Sequence, residues 1–93
     1  MVKIINLNMN VTPDDGFEEA GKCRAVSLIT YFLSRGAKSF NETMANAARY
    51  GYLDIVKLML ELGATVYNEG IIAGVEGRHY KISAFLNIYA DTH

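Results

Sequence analysis

The chain has 93 residues, 51% of them hydrophobic, with one proline, one cysteine and a formal net charge of −1. That length holds one small domain with a modest core. Scattered charges leave no basic footprint for nucleic acid or anionic lipid, no apolar run approaches the roughly 18 residues of a membrane span, and no secretory leader pattern opens the sequence. Nucleic acid and membrane are therefore not expected as partners. The lone Cys23 cannot close an internal disulfide, which points to a reducing, cytoplasmic compartment.

Residues 1–11 alternate Ile5, Leu7, Met9 and Val11 with Asn6, Asn8 and Asn10. This is the period of a strand, and it predicts an extended amino-terminal arm. Such an arm either lies over the segment that follows, covering its apolar side, or pairs as an edge strand with another chain.

From residue 12 onward a segment recurs with a period of 27 residues: Gly36-Ala37 falls on Gly63-Ala64, Ala20 on Ala47, Leu33 on Leu60, Asn41-Glu42 on Asn68-Glu69 and Ile55 on Ile82. The spacing predicts an all-α domain over 12–93, a solenoid of about three helix–turn–helix units at 12–38, 39–65 and 66–92. In the first unit Asp14, Asp15, Glu18 and Glu19 give the first helix an acidic face suited to meeting water, and Val26, Leu28, Ile29, Tyr31, Phe32 and Leu33 form the second helix. In the middle unit Met44, Ala47 and Ala48 share one narrow helical face, small enough for close approach by a neighbour. Asn41 is expected to cap that helix, with Asp14 and Asn68 in the same place in the other units. Gly51 breaks the chain before an apolar second helix from Leu53 to Leu62, which Gly63 ends in the left-handed conformation. The third unit, 68–76 and 80–89, is the least ideal: Gly77 comes one place early, and Gly74 weakens its helix by roughly 1 kcal/mol against alanine.

The run Ala47-Ala48-Arg49-Tyr50-Gly51-Tyr52-Leu53-Asp54-Ile55-Val56-Lys57-Leu58-Met59-Leu60-Glu61-Leu62-Gly63-Ala64 resembles the ankyrin repeat, with its alanine pair, turn glycine, apolar second helix and closing Gly-Ala. The resemblance extends more weakly over 14–38 and 66–89. Two departures stand out. Glu42-Thr43-Met44-Ala45 replaces the family's Thr-Pro-Leu-His, and the period is about six residues shorter than the usual 33, which removes the projecting hairpin tip. In this the chain is similar to the compact ankyrin repeats of large DNA viruses of amoebae and of some protists. The resemblance implies a protein-binding module with neither catalysis nor cofactor.

A search for chemistry points the same way. His79 and His93 have no companions at metal-ligand spacing, Cys23 and Ser27 have no histidine nearby, and the glycines lack phosphate-binding spacing. Cys23 reads as a semi-buried small residue of the inter-helix turn. The Asp14-Asp15 and Glu18-Glu19 pairs read as a solvated helix start favoured by the dipole. We expect no enzyme, no cofactor, no metal and no small-molecule substrate.

Tyrosine and arginine anchor many protein interfaces, so Phe40, Arg49, Tyr50, Tyr52 and Tyr67 are the candidates for binding another protein. In the last helix Phe85, Ile88 and Tyr89 fall at i, i+3 and i+4, a face that no later unit buries and that is a candidate for self-association into a homodimer. The alternatives to a binding module are a structural homo-oligomer, joined through that helix or the amino-terminal arm, and an inhibitor or effector that blocks a host protein.

Overall fold

The computed structural model describes residues 11–93, so the arm expected over 1–11 lies outside it except for Val11. The described chain is all-α: α1 Pro13–Cys23, α2 Val26–Ser34, α3 Phe40–Tyr50, α4 Leu53–Leu62, α5 Tyr67–Glu76 and α6 Tyr80–Thr92. Local chemistry explains the helix ends. The Thr12 hydroxyl accepts the Asp15 N–H at 3.0 Å, Pro13 occupies the first helical position without wasting a donor, and two acids fill the first turn of α1. None of the other helices has a side-chain cap, so packing must hold them.

Each helix packs on its partner, α1 on α2, α3 on α4 and α5 on α6, and α3 lies between α1 and α5. The molecule is elongated, 41 × 23 × 17 Å. Its core runs continuously through the helix pairs as Phe17, Ile29, Met44, Ile55, Val56, Met59 and Leu86, all but inaccessible to solvent. Burying each such side chain contributes roughly 1.5–3 kcal/mol. The apolar second helix expected from Leu53 to Leu62 buries Ile55, Val56, Met59 and Leu60 and half-buries Leu53, Leu58 and Leu62.

The turns follow the 27-residue spacing. Arg24, Gly51 and Arg78 take positive φ of 55°, 89° and 64°, and Gly36 and Gly63 take 98° and 118°. After each odd-numbered helix the chain closes with the same backbone hydrogen bond, Ala25 N–H to Ala20 O, Tyr52 N–H to Ala47 O and His79 N–H to Gly74 O, at 3.0, 2.8 and 2.7 Å. This six-to-one bond satisfies a carbonyl that the helix end leaves unpaired. The left-handed residue of the third turn is Arg78 rather than a glycine. Gly77 is needed for another reason: a Cβ there would collide with the carbonyl of Arg49. Gly74 has a similar cause, since the hydroxyl of Ser83 lies where its Cβ would be.

One expectation is corrected. Asn41 and Asp14 are not caps; each is the second residue of its helix, and the residue before α3 is Ser39. Their side chains reach forward instead. Asp14 Oδ1 accepts the N–H groups of Lys38 and Ser39 at 2.7 and 3.1 Å, and Asn41 Oδ1 accepts those of Thr65 and Val66 at 2.8 and 3.0 Å. Each thus ties down the segment leading into the next pair. Asn68 likewise lies inside α5, which starts at Tyr67.

Candidate functional site

The second and third turns between paired helices lie against one another and, with the first joined to α4 beside them, form one edge. The third packs on the second, with the His79 ring over Gly51 and Gly77 against the Arg49 carbonyl. The first reaches α4, where Arg24 donates from Nε and Nη2 to Asp54 Oδ2 at 3.1 and 2.8 Å. Hydrogen bonding to the Arg24 guanidinium holds the Asp54 carboxyl below its ordinary range, and Asp54 in turn raises Arg24. Both groups are exposed, so the pair is screened by water and salt.

Three of the candidate residues sit on this edge. Tyr50 is 49% exposed and stacks on half-buried Tyr52 with ring centroids 6.4 Å apart. Beside them the Arg49 guanidinium pairs with Glu76 of α5 at 2.7 Å. The arrangement gathers two stacked tyrosine rings with their hydroxyls and an exposed guanidinium paired with a carboxylate, side chains of the types enriched at protein interfaces.

Phe40 and Tyr67 do not belong to this group. Phe40 starts α3 and Tyr50 ends it, and ten residue steps of helix separate them by about 15 Å. The Phe40 ring packs edge-on against Phe17, and Tyr67 edge-on against Tyr89, with centroids 5.9 and 5.7 Å apart. Both are half-buried and join neighbouring helices.

The self-association candidates also divide. Phe85 is half-buried beneath Lys57, whose ammonium lies 5.3 Å from the ring centroid. Tyr89 is half-buried among Phe85, Tyr67 and a His93 ring stacked at 3.8 Å. Ile88 alone stays open, at 64% exposure. Sequence reasoning passed over Ile72 and Val75 of α5, which are 55% and 49% exposed. The alignment carries a signal for Val75, because it takes the place of Ala48, which is fully buried.

The groups weighed for chemistry have structural surroundings. Asp14 holds the Lys38–Ser39 backbone, Glu19 pairs with Lys22 at 3.6 Å, and the Glu18 carbonyl accepts the Asn46 side chain. Cys23 ends α1 and is exposed, correcting the semi-buried turn position expected for it. Among the described residues no three His, Cys, Asp or Glu side chains gather as metal ligands, and no helix is long and apolar enough to cross a membrane. A shallow depression of about 240 Å³ lies beside Val11, Pro13, Tyr31, Phe32 and Arg35 and contains no nucleophile or acid–base pair.

No family model matches the chain, and neither the curated proteins nor the solved structures contain a match to it.

Proposed function

We propose that the chain is an ankyrin-like stack of three helix pairs that binds another protein through its turn edge, without catalysis or cofactor. The observation that carries this reading is the forward tie of Asp14 and Asn41, each holding two backbone N–H groups 24 and 25 residues ahead. A tie repeated at the same offset in the first two helix pairs supports units stacked in one register. On such a stack Arg49, Tyr50 and Tyr52 are the binding residues, while Phe40 and Tyr67 hold helices together. The exposed Cys23 has no disulfide partner in the sequence and fits a reducing, cytoplasmic compartment.

The test is selection of ligands from a randomised peptide display with the purified protein, followed by amide chemical-shift mapping of the selected peptide. The reading requires shifts centred on residues 49–52, and binding that Tyr50→Ala weakens at least about tenfold, the loss expected at an interface hot spot. Shifts centred elsewhere, with binding unchanged by that substitution, contradict it.

A second reading, assembly with further copies of the same chain, is favoured by the 64% exposure of the aliphatic Ile88 on the outward side of α6, opposite buried Ile82 and Leu86.

A further inference from the structure

The outward face of α6 differs from those of the other even-numbered helices. Lys81, Ala84, Ile88 and Asp91 are all exposed and are spaced three, four and three residues apart. That spacing keeps them on one stripe of the helix, the spacing of a helix–helix seam. At the first three places the equivalents in α4 are Asp54, Lys57 and Glu61, also exposed, and those in α2 are Ser27, Thr30 and Ser34; at the place of Asp91 the other copies have Ala64 and Ala37, which lie beyond their helices and are buried. The places of Lys81, Ala84 and Ile88 therefore look outward from the stack, and in both other copies they are polar. Only in α6 does this face carry an aliphatic side chain beside a small one, with a cation at one end and an anion at the other.

This pattern is self-complementary. When two copies of α6 run antiparallel about a two-fold axis near residue 86, Ile88 of each lies over Ala84 of the other. Lys81 of each meets Asp91 of the other, because the pairs 84 with 88 and 81 with 91 share the same midpoint. The ten residue steps between Lys81 and Asp91 put the charges about 15 Å apart, one at each end of the apolar centre. Neither residue is in an ion pair with another described residue. Reversing one helix end for end would set like charges opposite each other, so the charges also select the antiparallel arrangement.

We propose that this stripe is an isologous contact with a second copy of the chain, Ile88 seated over Ala84 and flanked by two Lys81–Asp91 ion pairs. It deepens the self-assembly reading and does not depend on the turn edge. Phe85 and Tyr89, committed within the chain to Lys57, Tyr67 and His93, lie outside the contact. A single helix face is a small interface, and the dimer is correspondingly weak, with a dissociation constant on the order of 100 μM.

The experiment is sedimentation equilibrium of the full chain from about 10 to 500 μM, a range that brackets such a constant, with circular dichroism to verify folding. The parent protein should dimerise. Lys81→Asp and Asp91→Lys should each raise the dissociation constant about tenfold or more, since each reversal places like charges together twice. The double variant, Lys81→Asp with Asp91→Lys, should regain the parent's association, and Ile88→Lys should abolish it. A parent protein that stays monomeric across the range overturns both the contact and the self-assembly reading. A dimer indifferent to the single reversals, or not regained in the double variant, overturns the contact and leaves self-assembly through another surface.

Discussion

The carboxamide oxygen of Asn41 accepts the backbone N–H of Thr65 at 2.8 Å, joining the first turn of α3 to the segment that leads into α5. Its second bond, to Val66, leaves two donors dependent on one side chain. We predict that Asn41→Ala destabilises the protein by about 0.5–2 kcal/mol in urea unfolding, the net loss of two hydrogen bonds whose exposed donors can turn to water. Asn41→Asp should keep most of the stability, because Asp14 makes the same pair of bonds with a carboxylate. Equal stability for the alanine variant would show that water replaces the bonds without loss.

The two closing glycines fail for different reasons when substituted. Gly63 has φ of 118° with open space around it, so Gly63→Val introduces backbone strain alone and should cost more than about 1 kcal/mol. Gly77 has an ordinary φ of −86° but lies against the Arg49 carbonyl, so Gly77→Ala costs through collision, about 1–3 kcal/mol. Thermal melts of both variants check this; a harmless Gly77→Ala would mean that the third turn is free to move off the second.

The Arg24–Asp54 pair predicts a pH dependence. The Asp54 carboxyl is held below its ordinary value of 3.8, so its contribution is present above that value and is lost as pH falls through the lower value of the folded state. Asp54→Asn should therefore flatten the fall in stability below about pH 4 and reduce stability slightly at neutral pH. High salt should shrink the difference. Parallel curves for the two proteins would remove the pair from the account.

Tyr50 is exposed and, among the described residues, its ring stacks only on Tyr52, which makes it a surface residue in energetic terms. Tyr50→Ala should change unfolding free energy by less than about 0.5 kcal/mol. A larger loss would make the tyrosine pair a structural element and weaken its claim as a binding surface.

The helices were legible in the sequence because their signals are local. The apolar face of α3 at Met44, Ala47 and Ala48, the break at Gly51 and the positive φ at Gly63 all follow from spacing within a few residues. What was missed depends on groups distant in the chain. Asn41 looks like a cap locally, and only the position of Thr65 reveals that its side chain points forward. Gly77 looks like a displaced turn glycine until the Arg49 carbonyl is seen against it, while Arg78 adopts the left-handed turn that glycine was expected to supply. The aromatic candidates divide for the same reason: Tyr50 faces water, whereas Phe40 meets Phe17 from the preceding pair. The exposed stripe of α6 was half legible, since Ile88 was singled out but grouped with Phe85 and Tyr89, which the chain covers itself.

The central claim is that helix pairs stack at a 27-residue register, and duplicating residues 39–65 in place tests it most directly. The extra copy adds equivalents of α3 and α4 together with Asn41 to hold the following segment. The account predicts a cooperatively folding protein with proportionally more helix and a stability at or above the parent's, since each added unit contributes its own interface. An insertion that unfolds the protein, or that adds no helix by circular dichroism, would contradict it.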